Sequence, residues 1–201
     1  MSNTKRCVLI GDESLLVQCA ETLKQAGHAV MAVVSTRPAI RRWAMHRGVH
    51  VVDDANLLCT ATDLQPLDYV LSVTNLSVLP SEVLALARIA AINFHDGPLP
   101  EYAGLNTPVW ALLNGEREYG ITWHLMTQKV DQGAILVQRR FLLDDNETAL
   151  SLNTKCFEAG IAGFEELLPH LATGVLPTIA QTTPPQRYFR RKDRPAAASA
   201  L

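Results

Sequence analysis

Short apolar runs alternate with amphipathic segments along the first half of the chain. The spacing of apolar positions predicts helices over residues 15–26, 38–47 and 80–87. Between them lie continuous apolar runs of the length that buried strands have: 6–10, 28–34, 49–52, 68–73 and 90–94. Alternation of this kind is typical of βαβ units. We therefore predict an α/β fold, Rossmann-like, with a mostly parallel sheet that carries helices on both faces.

The pattern changes beyond residue 105. Residues 107–115 and 147–169 have the apolar spacing of helices, whereas 119–126 and 134–143 are strand-like runs. A turn region that contains Asp131 joins the two runs. We expect them to extend the sheet as neighbouring strands, for which an antiparallel arrangement is open.

The end of the chain has a different composition. Residues 1–180 are predicted to form one catalytic domain. Residues 181–201 run through two prolines and a basic stretch into P-A-A-A-S-A-L, which is typical of a tail or an interdomain linker. Tyr188 and Phe189 are candidates for docking the first half of this tail on the domain.

Composition narrows the class of protein. Hydrophobic residues make up 48% of the 201 residues, charged residues 19%, and the formal net charge is -2. These values fit a globular protein and give no electrostatic footprint for nucleic acid. The four cysteines lack C-x-x-C spacing, and no apolar stretch suits a signal peptide or a membrane span. We expect a soluble cytoplasmic protein without a nucleic-acid partner or membrane contact.

Three common chemistries are disfavoured by the motifs. IGDESLL, after the first predicted strand, lacks the G-x-G-x-x-G pattern that lets backbone approach a pyrophosphate. An ordinary turn between strand and helix is the better interpretation. The chain has no G-x-S-x-G motif, which argues against a serine hydrolase. His46 and His50 are four residues apart, but Gly48 breaks the helical geometry that a zinc site would need, so no metal site is predicted.

A polar N-x-H motif follows the apolar run at 90–94. Alternation along a strand places Asn93 and His95 on the same side and Phe94 on the other. Ligands of open α/β sheets bind at the carboxyl ends of the strands. There, an amide and an imidazole can both donate to one carbonyl oxygen, as acyl transfer requires. The alternative, that both side chains only hold the following loop, has about equal weight from spacing alone.

The third candidate is Asp131, in the sequence V-D-Q-G between the two later strands. Taken alone, ordinary turn chemistry is the favoured interpretation, because Asp bonds its own backbone and Gly accepts positive φ. Beside a histidine at a strand end, however, the carboxylate can orient the imidazole and take part in proton movement.

Two segments together resemble the folate-dependent formyltransferase family, and these are INFHDGPLPEYAG and NGEREYGITWHLMTQKVDQGAILVQ. This family includes methionyl-tRNA, glycinamide ribonucleotide and sugar-amine formyltransferases. The strong resemblance covers about residues 88–141, and a weaker one extends to about residue 170. It implies that 10-formyltetrahydrofolate donates a formyl group to a primary amine.

The resemblance also implies roles for particular residues. Asn93 and His95 would polarise the formyl oxygen and stabilise the oxyanion, and Asp131 would orient His95 and assist proton transfer. The Leu99–Pro100 peptide bond would be cis, and we expect Gly97 and Gly104 to adopt unusual backbone angles. The folate would contact two segments, through these residues: Val73, Thr74, Asn75, Leu76, Leu79, Met126 and Val130.

The chain departs from the family in the loop that faces the acceptor. It has H-D-G-P-L-P where many members have a serine and two leucines, and Y-A-G-L-N follows. This variant is most similar to formyltransferase domains of biosynthetic multienzymes such as nonribosomal peptide synthetases. We therefore expect a small-molecule or carrier-protein-bound amine as acceptor, with further domains downstream. Two alternatives stay open: a formyltetrahydrofolate hydrolase, and an idle binding domain with the same fold.

Overall fold

The computed structural model describes residues 4–182 and 187–193. Its strands are β1 (Arg6–Ile10), β2 (Ala29–Val34), β3 (His50–Val52), β4 (Leu67–Val73), β5 (Ala87–His95), β6 (Tyr102–Gly104), β7 (Glu118–Leu125), β8 (Ile135–Leu142) and β9 (Arg187–Phe189). Its α-helices are α1 (Ser14–Gln25), α2 (Pro38–His46), α3 (Ser81–Leu84), α4 (Thr107–Leu113) and α5 (Ala149–Thr173). Short 3-10 helices cover Ala55–Cys59, Thr62–Leu64 and Arg191–Asp193. None of the described helices is long and apolar enough to cross a membrane.

Seven strands form one sheet in the order β3-β2-β1-β4-β5-β7-β8. The strands from β3 to β5 are parallel to their neighbours, as the alternation of apolar runs and helices predicts. β7 pairs antiparallel with both β5 and β8, and so extends the sheet beyond its parallel half. The predicted α/β, Rossmann-like fold is confirmed.

One predicted helix is too long. The sequence predicts a helix over residues 80–87, but α3 ends at Leu84 and β5 begins at Ala87. Ala87 pairs with Leu67 of β4, so hydrogen bonding across the sheet overrides the helical preference of the local sequence. The segment 53–66, where the sequence has weak signals, contains two of the short 3-10 helices.

Helix α5 packs closely on the strands that carry the polar motif. A Cβ atom on Gly160 would lie 2.7 Å from the Phe94 ring, so only glycine lets the helix approach this far. The Trp123 indole donates a hydrogen bond of 2.9 Å to the Gly160 carbonyl. Phe94 and Trp123 themselves pack with ring centroids 5.2 Å apart. The apolar face of β5 and β7 is thereby fixed, which leaves their other face for polar side chains.

The carboxyl-terminal strand β9 lies against the domain. It pairs in parallel with β6 in a separate two-stranded sheet. Phe189 stacks on Trp110 at a centroid distance of 4.7 Å and on Tyr102 at 5.6 Å. The predicted boundary between a domain at 1–180 and a tail at 181–201 stays a prediction, since residues 183–186 and 194–201 lie outside the described residues.

Candidate active site

Asn93 and His95 lie at the carboxyl end of β5, on the face opposite Phe94. The antiparallel register with β7 places His124 directly across from Asn93, and Thr122 across from His95. Cross-strand neighbours are close enough for side-chain contact, and the Asn93 Nδ2 atom is 3.2 Å from His124 Nε2. The N-x-H motif therefore has a polar partner on the next strand.

The two ring nitrogens of His95 face different groups. Nε2 lies 2.8 Å from the Tyr102 carbonyl oxygen, which can only accept, so Nε2 carries a proton and donates it. Nδ1 lies 3.8 Å from Oδ1 of Asp131, beyond direct hydrogen-bond distance. The backbone of β6 thus orients the ring, and Nδ1 faces the carboxylate.

Asp131 is buried, and its backbone is in the left-handed region at φ 57°. Its Oδ2 atom accepts a hydrogen bond of 2.8 Å from the Gly104 N–H. Burial by itself would raise the pKa of this carboxyl, but the charge of the facing His95, the nearby His124 ring and the Gly104 N–H outweigh it and lower the pKa to about 2. The carboxylate therefore stays ionised throughout the neutral range.

His124 is a further polar residue at this site, and the sequence analysis gave it no role. Its Nδ1 lies 2.8 Å from the Leu125 carbonyl oxygen, so Nδ1 carries the proton. In the neutral ring, Nε2 then accepts from the Asn93 amide, which fixes the plane of that amide. Nε2 is also 3.6 Å from Oδ1 of Asp131. The one sequence signal for this role is a histidine in an apolar strand beside the D-x-G turn.

The loop after His95 is held from the neighbouring strand. The Thr122 hydroxyl donates to the Gly97 carbonyl at 2.8 Å and accepts from the Leu99 N–H at 3.1 Å. The Leu99–Pro100 peptide bond is cis, as predicted. Gly104 has the expected positive φ, at 96°.

The expectation for Gly97 is wrong, because it does not adopt a positive φ. Its absent side chain matters for space instead. A Cβ atom there would lie 2.9 Å from both His95 Nε2 and the Tyr102 carbonyl oxygen. Glycine at this position therefore leaves room for the hydrogen bond that orients His95.

The residues assigned to folate lie in the segments after β4 and β7. Leu76 is 69% exposed and Val130 is 37% exposed, so both present apolar surface to solvent. Val73 and Leu79 are buried in the core, and their side chains offer no surface of this kind. The structure places the remaining residues, which are Thr74, Asn75 and Met126, in half-buried positions.

The arrangement combines two kinds of polar group in one place. Side-chain N–H groups of this kind can stabilise a developing oxyanion. Asp131 supplies a fixed negative charge beside them, and a charge of that sign can stabilise a cationic group. No group of three or more His, Cys, Asp or Glu residues in the described ranges is arranged to hold a metal ion.

Comparison with known proteins identifies similar chains. The family model described as formyl transferase matches residues 5–168. The N-formyltransferase from Helicobacter canadensis, solved with folinic acid and dTDP-3-aminofucose, is similar at a TM-score of 0.80 and 20% identity. That match covers 96% of this chain and 73% of the other.

Two further solved structures have the same fold. Glycinamide ribonucleotide transformylase 1 from Symbiobacterium toebii matches at a TM-score of 0.76 and 21% identity, over 87% of this chain and 90% of its own. HypX from Aquifex aeolicus, in complex with tetrahydrofolic acid, matches at 0.74 and 19% identity, over 94% of this chain and 30% of its own. At these identities the similarity shows the fold alone.

Proposed function

Because the chain belongs to the formyl transferase family, we propose that Asn93, His95 and Asp131 catalyse the transfer of a formyl group from 10-formyltetrahydrofolate to a primary amine. The observation that carries this proposal is the meeting of the three side chains. They come from the end of β5 and from the turn between β7 and β8, and His95 Nδ1 is 3.8 Å from Asp131 Oδ1.

The chemistry needs donors where charge develops. The amine nitrogen attacks the formyl carbon, and the carbonyl π electrons move to oxygen to give a tetrahedral oxyanion. The Asn93 N–H that does not face His124 can donate to that oxygen. Nδ1 of His95 can donate as well when the ring is an imidazolium, which carries a proton on both nitrogens. These donors need no reorganisation during the reaction, because His124 and the Tyr102 carbonyl already hold the two side chains in place.

The proton balance gives Asp131 its role. The attacking nitrogen becomes positively charged, and it must lose one proton while N10 of the folate must gain one as the carbon–nitrogen bond breaks. A carboxylate whose pKa is about 2 stabilises that positive charge and passes the proton on rather than storing it. The products are the formamide and tetrahydrofolate, and no covalent enzyme intermediate is required.

The donor fits the apolar surface beside the site. Several solved neighbours contain folinic acid, formyltetrahydrofolate or tetrahydrofolic acid. In this chain, Leu76 and Val78 are 69% and 76% exposed in the segment after β4, and Val130 precedes the catalytic carboxylate. We assign these side chains, with Met126 behind them, to the pterin of the donor.

For the acceptor, we propose a small-molecule amine or an aminoacyl group on a carrier protein, within a larger cytoplasmic synthetase. The support is the altered loop around Gly97 and Gly104 and a net charge of -2, which gives little attraction to a phosphate backbone. An assay with aminoacyl-tRNA, amino sugars and an aminoacyl carrier protein separates the classes. Efficient, salt-sensitive formylation of tRNA alone contradicts this assignment.

The test of the reaction is turnover of 10-formyltetrahydrofolate with and without amines. We expect amine-dependent release of tetrahydrofolate, and a loss of about 100-fold in Asn93→Ala because one oxyanion donor is removed. Asn146→Ala, in an exposed turn, is the matched control and should retain full activity. Amine-independent release of formate would instead identify a hydrolase, and no turnover with any amine would identify an idle binding domain.

A further inference from the structure

The region beyond α5 contacts the turn that carries Asp131. Ile179 and Ile135 exchange two backbone hydrogen bonds of 2.8 Å, which bring the chain alongside the start of β8. Two residues later, the Gln181 amide nitrogen donates to the carbonyl oxygens of Asp131, at 3.0 Å, and Gly133, at 2.7 Å. One side chain thus binds both ends of the catalytic turn.

The orientation of the Gln181 amide is determined by its surroundings. The reverse orientation would place an oxygen against two carbonyl oxygens, which cannot donate. The Oε1 atom is buried and has no hydrogen-bond partner among the described residues. The two N–H contacts are therefore the ones that this side chain provides. They hold the Asp131 backbone in the left-handed conformation, which is unfavourable for residues other than glycine.

The strand β9 is connected to the Asp131 carboxylate indirectly, because it pairs with β6 and β6 contacts that carboxylate. The Leu105 N–H donates to the Phe189 carbonyl at 2.8 Å. A Cβ atom on Gly104 would lie 2.1 Å from that oxygen, so the two strands are in close contact here. β6 supplies both the Gly104 N–H that binds Asp131 and the Tyr102 carbonyl that orients His95.

We propose that the carboxyl-terminal region positions the catalytic pair, with Gln181 as a positioning residue for Asp131 and β9 as the strand that holds β6 in place. The inference rests on the function proposed above. The electrostatic environment of Tyr188 agrees with it, since burial and the negative charge of Asp131 together raise the pKa of the Tyr188 hydroxyl. The strand therefore lies within the field of the catalytic carboxylate.

The test is a double-mutant cycle on the full chain with 10-formyltetrahydrofolate and an accepted amine. Gln181→Met keeps the length of the side chain and removes both N–H donors. We expect kcat to fall about 10-fold, since small displacements of catalytic groups reduce rates strongly, while KM for the folate stays nearly constant. Gln25→Met, at the exposed end of α1, is the matched control and should behave as the unmodified protein does.

The decisive measurement is Gln181→Met in the Asp131→Asn background. If Gln181 acts through Asp131, the second substitution should change kcat less than 2-fold, because coupled residues are not additive. A full 10-fold further loss would show a general structural role and overturn the inference. Normal kcat in Gln181→Met would also overturn it, provided that Asp131→Asn is impaired. If Asp131→Asn itself is normal, the proposed function fails first. Should Gln181→Met not fold, the cycle is repeated with Gln181→Asn, whose shorter side chain cannot reach both carbonyls.

Discussion

The sheet has two halves whose faces carry different side chains. One is the parallel half, formed by β3, β2, β1 and β4, and the other is formed by β5, β7 and β8. In β1 and β4 nearly every side chain is apolar and buried, since helices or short turns cover both faces. In β5 and β7, only one face packs on α5. The other carries Asn93, His95 and His124, which bond to one another or to backbone carbonyls.

This difference separates stability from activity. Removing apolar volume from the parallel half should destabilise the whole chain and leave the chemistry intact in the molecules that stay folded. Changing a polar group on β5 or β7 in the other half should lower the rate far more than the stability, whereas the buried carboxylate of Asp131 should contribute to both. The four predictions below test that separation, from the largest expected free-energy effect to the smallest.

Leu9→Ala should lower the free energy of unfolding by about 3 kcal/mol, because Leu9 in β1 is fully buried and its loss leaves a cavity. Urea unfolding measures this. Turnover per folded molecule should stay within about 2-fold, since β4 lies between β1 and the strand that carries Asn93 and His95. Leu142→Ala is the matched change at a residue 74% exposed, and should cost less than about 0.5 kcal/mol.

His95→Ala should reduce kcat about 100-fold or more, equivalent to roughly 2.7 kcal/mol, because it removes an oxyanion donor. Steady-state kinetics on protein shown to be folded by circular dichroism measures this. His46→Ala, at the exposed end of α2, controls for loss of an imidazole. A His95→Ala enzyme with a normal rate would place the chemistry elsewhere.

Asp131 should make stability depend on acid pH. Its pKa is about 2 in the folded chain, against an ordinary value of 3.8, so the unfolded chain binds the proton more readily. The stabilisation, about 2 kcal/mol, is therefore complete above about pH 4 and is lost as the pH falls to about 2. The free energies of unfolding of the unmodified protein and of Asp131→Asn should converge as the pH falls through that range. Asp145→Asn, at an exposed position, should show no comparable convergence.

His124→Leu should lower kcat about 10-fold, or roughly 1.4 kcal/mol, because the Asn93 amide loses the acceptor that fixes its plane. His124→Gln offers an acceptor oxygen in a similar volume and should restore most of the rate. Equal losses in both variants would mean that His124 contributes packing rather than orientation. The kinetic measurement needs saturating folate, so that only kcat is compared.

The parallel half follows closely from the sequence, because a strand covered on both faces must be a continuous apolar run. The candidate residues Asn93, His95 and Asp131 were also visible, through alternation and through the family resemblance. Their catalytic roles stay a prediction.

The remaining contacts depend on pairing between distant segments. Nothing local marks Tyr102–Gly104 or Arg187–Phe189 as strands, since each has only three residues and is a strand because it pairs with the other. His124 looks like an ordinary strand histidine until the antiparallel register places it across from Asn93. Gly97 was expected to need unusual backbone angles, but its neighbours show that a side chain there would collide with His95 and the Tyr102 carbonyl.

The pairing of β6 with β9 also sets an order of events during synthesis. Tyr102 and Arg187 are separated by 85 positions, and every strand of the seven-stranded sheet, together with α5, precedes β9 in the order of synthesis. A nascent chain released at that stage would hold Asn93 and His95 on a finished scaffold while the Gly104 N–H and Gln181 contacts to Asp131 were still unmade. Under the positioning role proposed for β9, catalytic competence would therefore follow the release of this strand from the exit tunnel.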